Sequence, residues 1–183
     1  MSTLVKPPAN REAGYYMTLS KKECIEIERY AYELRLEHDV DAQFPVPVEL
    51  LANKLGYRAG AFSPSENTQR VAGVVDHRDR RIYVNNNDPN VRRRFTIAHE
   101  IGHIVYDADS ESTHVDYRGN QWPSDPKEQR ADYFAASLLM PRDIFKLKYQ
   151  ELDQDIIALA GFFGVSQKAA EIRRITLIED YCT

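Results

Sequence analysis

The stretch Arg94–Tyr106, RFTIAHEIGHIVY, decides how this chain is read. Asp88-Pro89 just upstream supplies an N-cap aspartate and a proline at the first helical position, so a helix is expected from there to about Tyr106. Inside it stands His99-Glu100-Ile101-Gly102-His103. Side chains four apart on a helix lie nearly one above the other. Both imidazoles can therefore reach one zinc ion at about 2.0–2.1 Å. Glu100 is rotated by about 100° from His99 and about 60° from His103, which puts it beside such an ion rather than on it. From there it can take the proton of a zinc-bound water, whose pKa the metal lowers to about 7. A chance pair on an exposed helix face is the competing reading. It is weakened because the chain has only five histidines, and two of them fall at this spacing around a glutamate.

A catalytic zinc site needs a third protein ligand, and several residues compete. Asp107 lies at i+4 from His103, but three ligands stacked on one straight helix converge poorly. Asp109 occupies the slot of the HExxHxxGxxH/D pattern, whose turn-making glycine is replaced here by Tyr106. His114 lies in the polar stretch 107–124, expected to be a long loop. Glu128 is favoured. Asp125-Pro126 repeats the helix-start signal, with Glu128 at N3 of a helix that runs through Leu139 and stops at Pro141. Glu128 and Asp132 share a face of that helix. The first can bind zinc while the second accepts the N–H of a ligand histidine. Ala131 and Ala135 let the two helices approach closely. Against this, Glu128 can also serve as an exposed capping-box partner for Asp125. An oxyanion donor is needed as well. His114, Tyr106, Tyr133 and Arg130 are candidates, and His114 is taken first.

Outward from these two helices the chain alternates clear signals. Ser20-x-x-Glu23 is a capping box ahead of a helix to about His38, with Ile27, Ala31 and Leu34 on one stripe. Pro47 and Gly56 bracket a second helix. YRAGAF (57–62) reads as a strand, and VAGVVD (71–76) with RIYV (81–84) as a hairpin. Helices are expected from about Pro141, over 153–163 and over 166–179. The fold class is α+β: a small antiparallel three-stranded sheet packed on helices. Residues 1–43 form an arm and a helix, with 1–18 as the arm. Residues 44–145 form the core domain, and 146–183 a helical segment packed on the same domain. One strand of the hairpin is expected to dock an extended peptide along its edge.

LAGFFGVSQKAAEIRRI near the end resembles a helix-turn-helix, with Ser166 capping its second helix. Arg173 and Arg174 are the only clustered positive charges there, so packing or protein docking is favoured over DNA contact. Arg92-Arg93-Arg94 reads as a solvated face, or else a contact to a substrate carboxylate or to another domain. Phe134, Leu138 and Leu139 read as core.

Composition sets the outer limits. The chain is 43% hydrophobic and 28% charged, as expected of a folded globular protein. A net charge of -4 argues against the whole molecule binding polyanions. No apolar run approaches the roughly 20 residues a membrane span needs, and the start MSTLVKPPANREAGYY has no apolar signal core. Cys24 and Cys182, the only two cysteines, make no disulfide scaffold and suggest a reducing compartment. A cytoplasmic location is expected.

RFTIAHEIGHIVY, HVDYR and EQRADYFAASLLMP together resemble the ImmA/IrrE metallopeptidases, as do the upstream PVPVELLANKLGY and VAGVVDHRDRRIYVNNN. The resemblance covers about residues 44–180. It implies a zincin-like fold, similar to compact thermolysin-like peptidases. It also implies one Zn2+ per chain on His99, His103 and Glu128, with Glu100 as the catalytic glutamate. Asp132 stands where the family often has Asn or Asp. Members act in bacteria or their mobile elements and relieve repression by cleaving a helix-turn-helix repressor, often encoded nearby. The expected function is thus a zinc endopeptidase acting on such a repressor, without direct nucleic-acid contact and without a membrane. A non-catalytic regulator that binds a repressor or DNA, and a toxin–antitoxin component, are the alternatives.

Overall fold

The computed structural model describes residues 19–106, 113–117 and 125–178. The arm at 1–18 and the candidate ligands Asp107 and Asp109 lie outside them. Among the described residues there are seven helices and four strands. They run α1 (Lys21–Glu37), α2 (Val48–Lys54), β1 (Arg58–Phe62), β2 (Val71–Asp76), β3 (Arg81–Asn85), α3 (Asn90–Tyr106), β4 (His114–Tyr117), α4 (Pro126–Leu139), α5 (Arg142–Glu151), α6 (Ile156–Phe163) and α7 (Gln167–Ile178).

Local chemistry sets most of these ends. Ser20 Oγ accepts from the Glu23 amide while Glu23 Oε2 accepts from the Ser20 amide at 2.8 Å, so the capping box starts α1. Asp125 caps α4 by accepting from the Lys127 amide at 2.9 Å, with Pro126 at the first turn. Asp155 caps α6, and Gly164 ends it in the left-handed conformation at φ 63°.

The sheet differs from the antiparallel trio expected. It has four strands in the order β1-β3-β2-β4, and β1 runs parallel to β3. Burial explains the order. In β2, Val71, Ala72, Gly73 and Val75 are all buried, so this strand belongs in the middle. No residue of β1 is fully buried, and such a strand is tolerated at an edge. The fourth strand comes from within the stretch expected to be a loop: His114–Tyr117 pairs antiparallel with β2, with a register irregularity between Val71 and Gly73. The expected hairpin forms, β2 pairing antiparallel with β3, but the peptide-docking role expected of its edge is corrected. Both its strands are interior, so neither offers an edge to a peptide; the edges are β1 and β4.

Helix α3 lies across β2 and β3, α4 packs along α3, and α1 packs on α4. Ile97, Ala98 and Ile101 of α3 are buried with Phe134, Leu138, Leu139 and Met140 of α4 and its cap. Arg94 does not form a solvated face. It is buried and donates to the carbonyls of Val46 (2.7 Å) and Gly164 (3.2 Å), tying the start of α3 to α2 and α6. The arginines of α7 are also engaged within the chain. Arg173 is buried and donates to the Met140 carbonyl at 3.0 Å, and Arg174 pairs with Glu171. Glu28 of α1 gathers Tyr133, Arg142 and Arg173 within 2.7–3.2 Å, which joins α1, α4, α5 and α7. Cys24, buried in α1, is disulfide-bonded, so the cysteines no longer argue for a reducing compartment; Cys182 lies outside the described residues. Among the described residues no helix is long and apolar enough to cross a membrane.

Candidate functional site

Helices α3 and α4 bring their polar residues together where they cross. His99 and His103 project from the same face of α3 with their Nε2 atoms 3.0 Å apart. Glu128 reaches over from the first turn of α4. Its Oε2 stands 3.3 Å from His99 Nε2, and its Oε1 stands 3.3 Å from His103 Nε2. The carboxylate thus faces the histidines, and the first-turn amide of Lys127 is left to Asp125. His114 on β4 is brought to the same place, its Nε2 3.3 Å from Glu128 Oε1 and its ring centred 3.9 Å from that of His103. One ligand atom from each of these four residues lies within 4.8 Å of all the others.

The donor set can hold a metal ion. A tetrahedral ion with bonds of about 2.0–2.1 Å separates its donors by about 3.3–3.4 Å. The His99–His103 pair and the three contacts to Glu128 stand 3.0–3.3 Å apart, and the whole set lies within 4.8 Å. His114 Nε2 is buried and makes no hydrogen bond despite its nearness to Glu128, as befits an atom aimed at a shared centre.

The outer contacts orient this set. Asp132, one turn along α4 from Glu128, stands 2.8 Å from His99 Nδ1. With Asp132 ionised, Nδ1–H donates to it and the Nε2 lone pair points inward. Burial alone would lower the pKa of His99, but hydrogen bonds to Asp132 and Glu128 outweigh it and raise it well above the usual value.

Glu100 is fully buried beside the cage, and among the described residues neither carboxylate oxygen has a hydrogen-bond partner. Burial pushes its carboxyl up to about 7, against the opposing pull of His99 and His114. Gly73 makes room for it: a Cβ there would come within 2.6 Å of Glu100 Oε1. Asp116 stands opposite Gly73 on β4, and burial raises its carboxyl too.

Gly73 and Asp116 were not singled out from sequence. A glycine inside the β-rich run VAGVVD was the available sign of a close approach, and His-x-Asp alternation in HVDY was the sign for Asp116. Of the other oxyanion candidates, Tyr133 donates to Glu28 at 2.7 Å, and Arg130 lies over the Tyr106 ring at 5.5 Å.

Gly102, inside the HExxH, sets the spacing of the two helices. A Cβ there would meet Ala131 Cα at 3.0 Å and the Ala131 carbonyl at 3.3 Å. Alanine gains about 1 kcal/mol in helix propensity over glycine. The clash is with backbone, which no rotamer relieves, and overpacking costs about 1–3 kcal/mol. Gly102→Ala is therefore expected to destabilise the protein by about 1 kcal/mol net and to weaken metal binding, since the donors sit on both helices. Urea unfolding and a metal titration measure both; unchanged values would mean that α3 and α4 can part freely.

The IrrE N-terminal-like domain, a peptidase family, matches residues 61–174. No curated protein matches the chain. Among solved structures, a Mycobacterium tuberculosis transcriptional regulator superposes with a TM-score of 0.62 at 16% identity, over 86% of this chain and 48% of its own. This chain thus spans about half of that protein's length, and the likeness is one of fold. The family match takes in His99, Glu100, His103, His114, Glu128 and Asp132 and extends over more than half of the chain, which therefore belongs to the IrrE N-terminal-like peptidase family.

Proposed function

We propose that the chain is a zinc-dependent endopeptidase that cuts a regulatory protein, a helix-turn-helix repressor being the expected substrate. The observation that carries this reading is the unpartnered, buried Glu100 beside a converging set of imidazoles and one carboxylate. A structural site has no use for a buried carboxylate that bonds to nothing.

His99, His103 and Glu128 would hold the ion, and two imidazoles with a carboxylate suit zinc. Bound there, the ion supplies Lewis acidity toward the scissile carbonyl and the attacking water. Asp132 keeps His99 in the tautomer that faces inward. Glu100 takes a proton from the attacking water and returns it to the leaving amide nitrogen. A carboxyl near neutrality does both. His114 is the donor we assign to the developing oxyanion, because it stands within the converging set while Tyr133 donates to Glu28 and Arg130 lies over the Tyr106 ring.

The repressor as substrate is favoured by family membership and by the fold shared with a protein described as a transcriptional regulator. It would place the reaction in the cytoplasm. The zincin-like core at 44–145 would then be flanked by 1–43 and by the helix-turn-helix-like segment 146–183. Arg173 and Arg174 are engaged within the chain, which favours protein over DNA as the partner.

The test is incubation of zinc-loaded protein with helix-turn-helix regulators encoded beside it, read by intact mass spectrometry. A discrete cut that disappears on chelation is expected. Binding without any cut would instead favour a non-catalytic regulator.

A further inference from the structure

We propose that His114 is a fourth and displaceable donor to the metal site, so that the resting protein masks its own centre with strand β4. This rests on the peptidase reading above and deepens it. A catalytic site keeps one position open for water or substrate, whereas four protein donors close it. The four here converge. For the centre to react, one donor has to leave.

The anchoring of the four is unequal. His99 and His103 sit on the seventeen-residue helix α3, and Asp132 holds His99 from behind. Glu128 sits on the fourteen-residue helix α4, packed along α3. His114 sits at the start of a four-residue strand at the edge of the sheet, paired only with β2 among the described residues, and the strand's far end carries a register irregularity between the Asp116 and Tyr117 pairings. Its side chain is 31% exposed, against 5% for His99, 3% for His103 and 17% for Glu128. The donor with the fewest supports is the one on the edge strand, where an extended peptide would also have to pair. A substrate that engages this edge and draws β4 aside opens the position. The displaced imidazole stays close enough to donate to the carbonyl oxygen, so masking and oxyanion stabilisation become two positions of one residue.

The experiment uses the full chain loaded with cobalt(II), whose visible absorption reports the number and type of donors, and azide as the probe of an open position. Wild type is expected to show four-donor bands that azide leaves unchanged at concentrations that saturate His114→Ala. In the variant, azide should shift the bands and cobalt affinity should fall by at least about tenfold, since losing a donor costs no less than losing a partner behind one. His114→Gln, closer in size, should behave like His114→Ala, which shows that the lost imidazole and not a disturbed β4 opens the position; a His114→Gln that keeps the wild-type response would overturn the masking. Wild-type bands that respond to azide as the variants do, with equal cobalt affinity, would overturn the masking while leaving the peptidase reading intact. A wild type that binds neither cobalt nor zinc would overturn both.

Discussion

Glu128→Ala is expected to strip the metal from the protein. Glu128 is the one carboxylate in the converging set, and its oxygens stand 3.3 Å from each of the three imidazoles. Burial alone would raise its pKa, but the imidazoles of His103, His114 and His99 set against it outweigh burial and hold the carboxyl well below the usual range. It therefore stays anionic wherever the histidines are able to bind a cation. In metal-free protein a depressed carboxylate contributes stability above its ordinary pKa of 4.5, lost as pH falls. With metal present its loss removes both a donor and the charge that offsets the ion. Losing a partner outside the donor set costs about 10–100-fold in metal affinity, and loss of the donor itself should cost more. Metal content by mass spectrometry after dialysis should fall from about one ion per chain to near none. Full retention in the variant would pass the third position to Asp107, Asp109 or His114.

The two helices that make this site were legible because each carries its instructions locally. An aspartate cap, a proline and donors one turn apart fix both a helix and the face it presents. What Glu128 does was not local. From sequence it is equally a cap at N3, and only the arrival of α3 and β4 gives its carboxylate three imidazoles to prefer. The sheet was harder for the same reason. VAGVVD and RIYV pair as neighbours in sequence, but the place of RAGAF depends on which strand ends up buried, and it joined β3 in parallel. HVDY is four residues of mixed polarity, too short for its alternation to stand out. Arg94 read as surface charge because its partners are backbone carbonyls, at Val46 and Gly164, and carbonyl partners leave no mark in composition.

Glu100→Gln should separate chemistry from architecture, because it is expected to abolish cleavage while making the metal-free protein more stable. Removing a positioned general base lowers the rate by about 100- to 10,000-fold. Metal should remain, since Glu100 is not among the converging donors. The gain in stability follows from burial. Both carboxylate oxygens lack partners, and burial pushes the folded-state pKa from the ordinary 4.5 up to about 7. The protonated form therefore favours folding. That contribution is complete below pH 4.5 and is lost as pH rises through about 7, where an unpartnered charge must stay buried. Glutamine has the same shape and no charge to bury. At pH 8 the metal-free variant should be more stable than wild type by the order of 1–3 kcal/mol, and the difference should shrink towards pH 5. Urea unfolding at the two pH values measures it. A carboxylate kept for structure would give the opposite sign, losing stability when replaced. Cleavage that survives in the variant would remove Glu100 from the reaction and leave the chain as a regulator that binds its partner without cutting it.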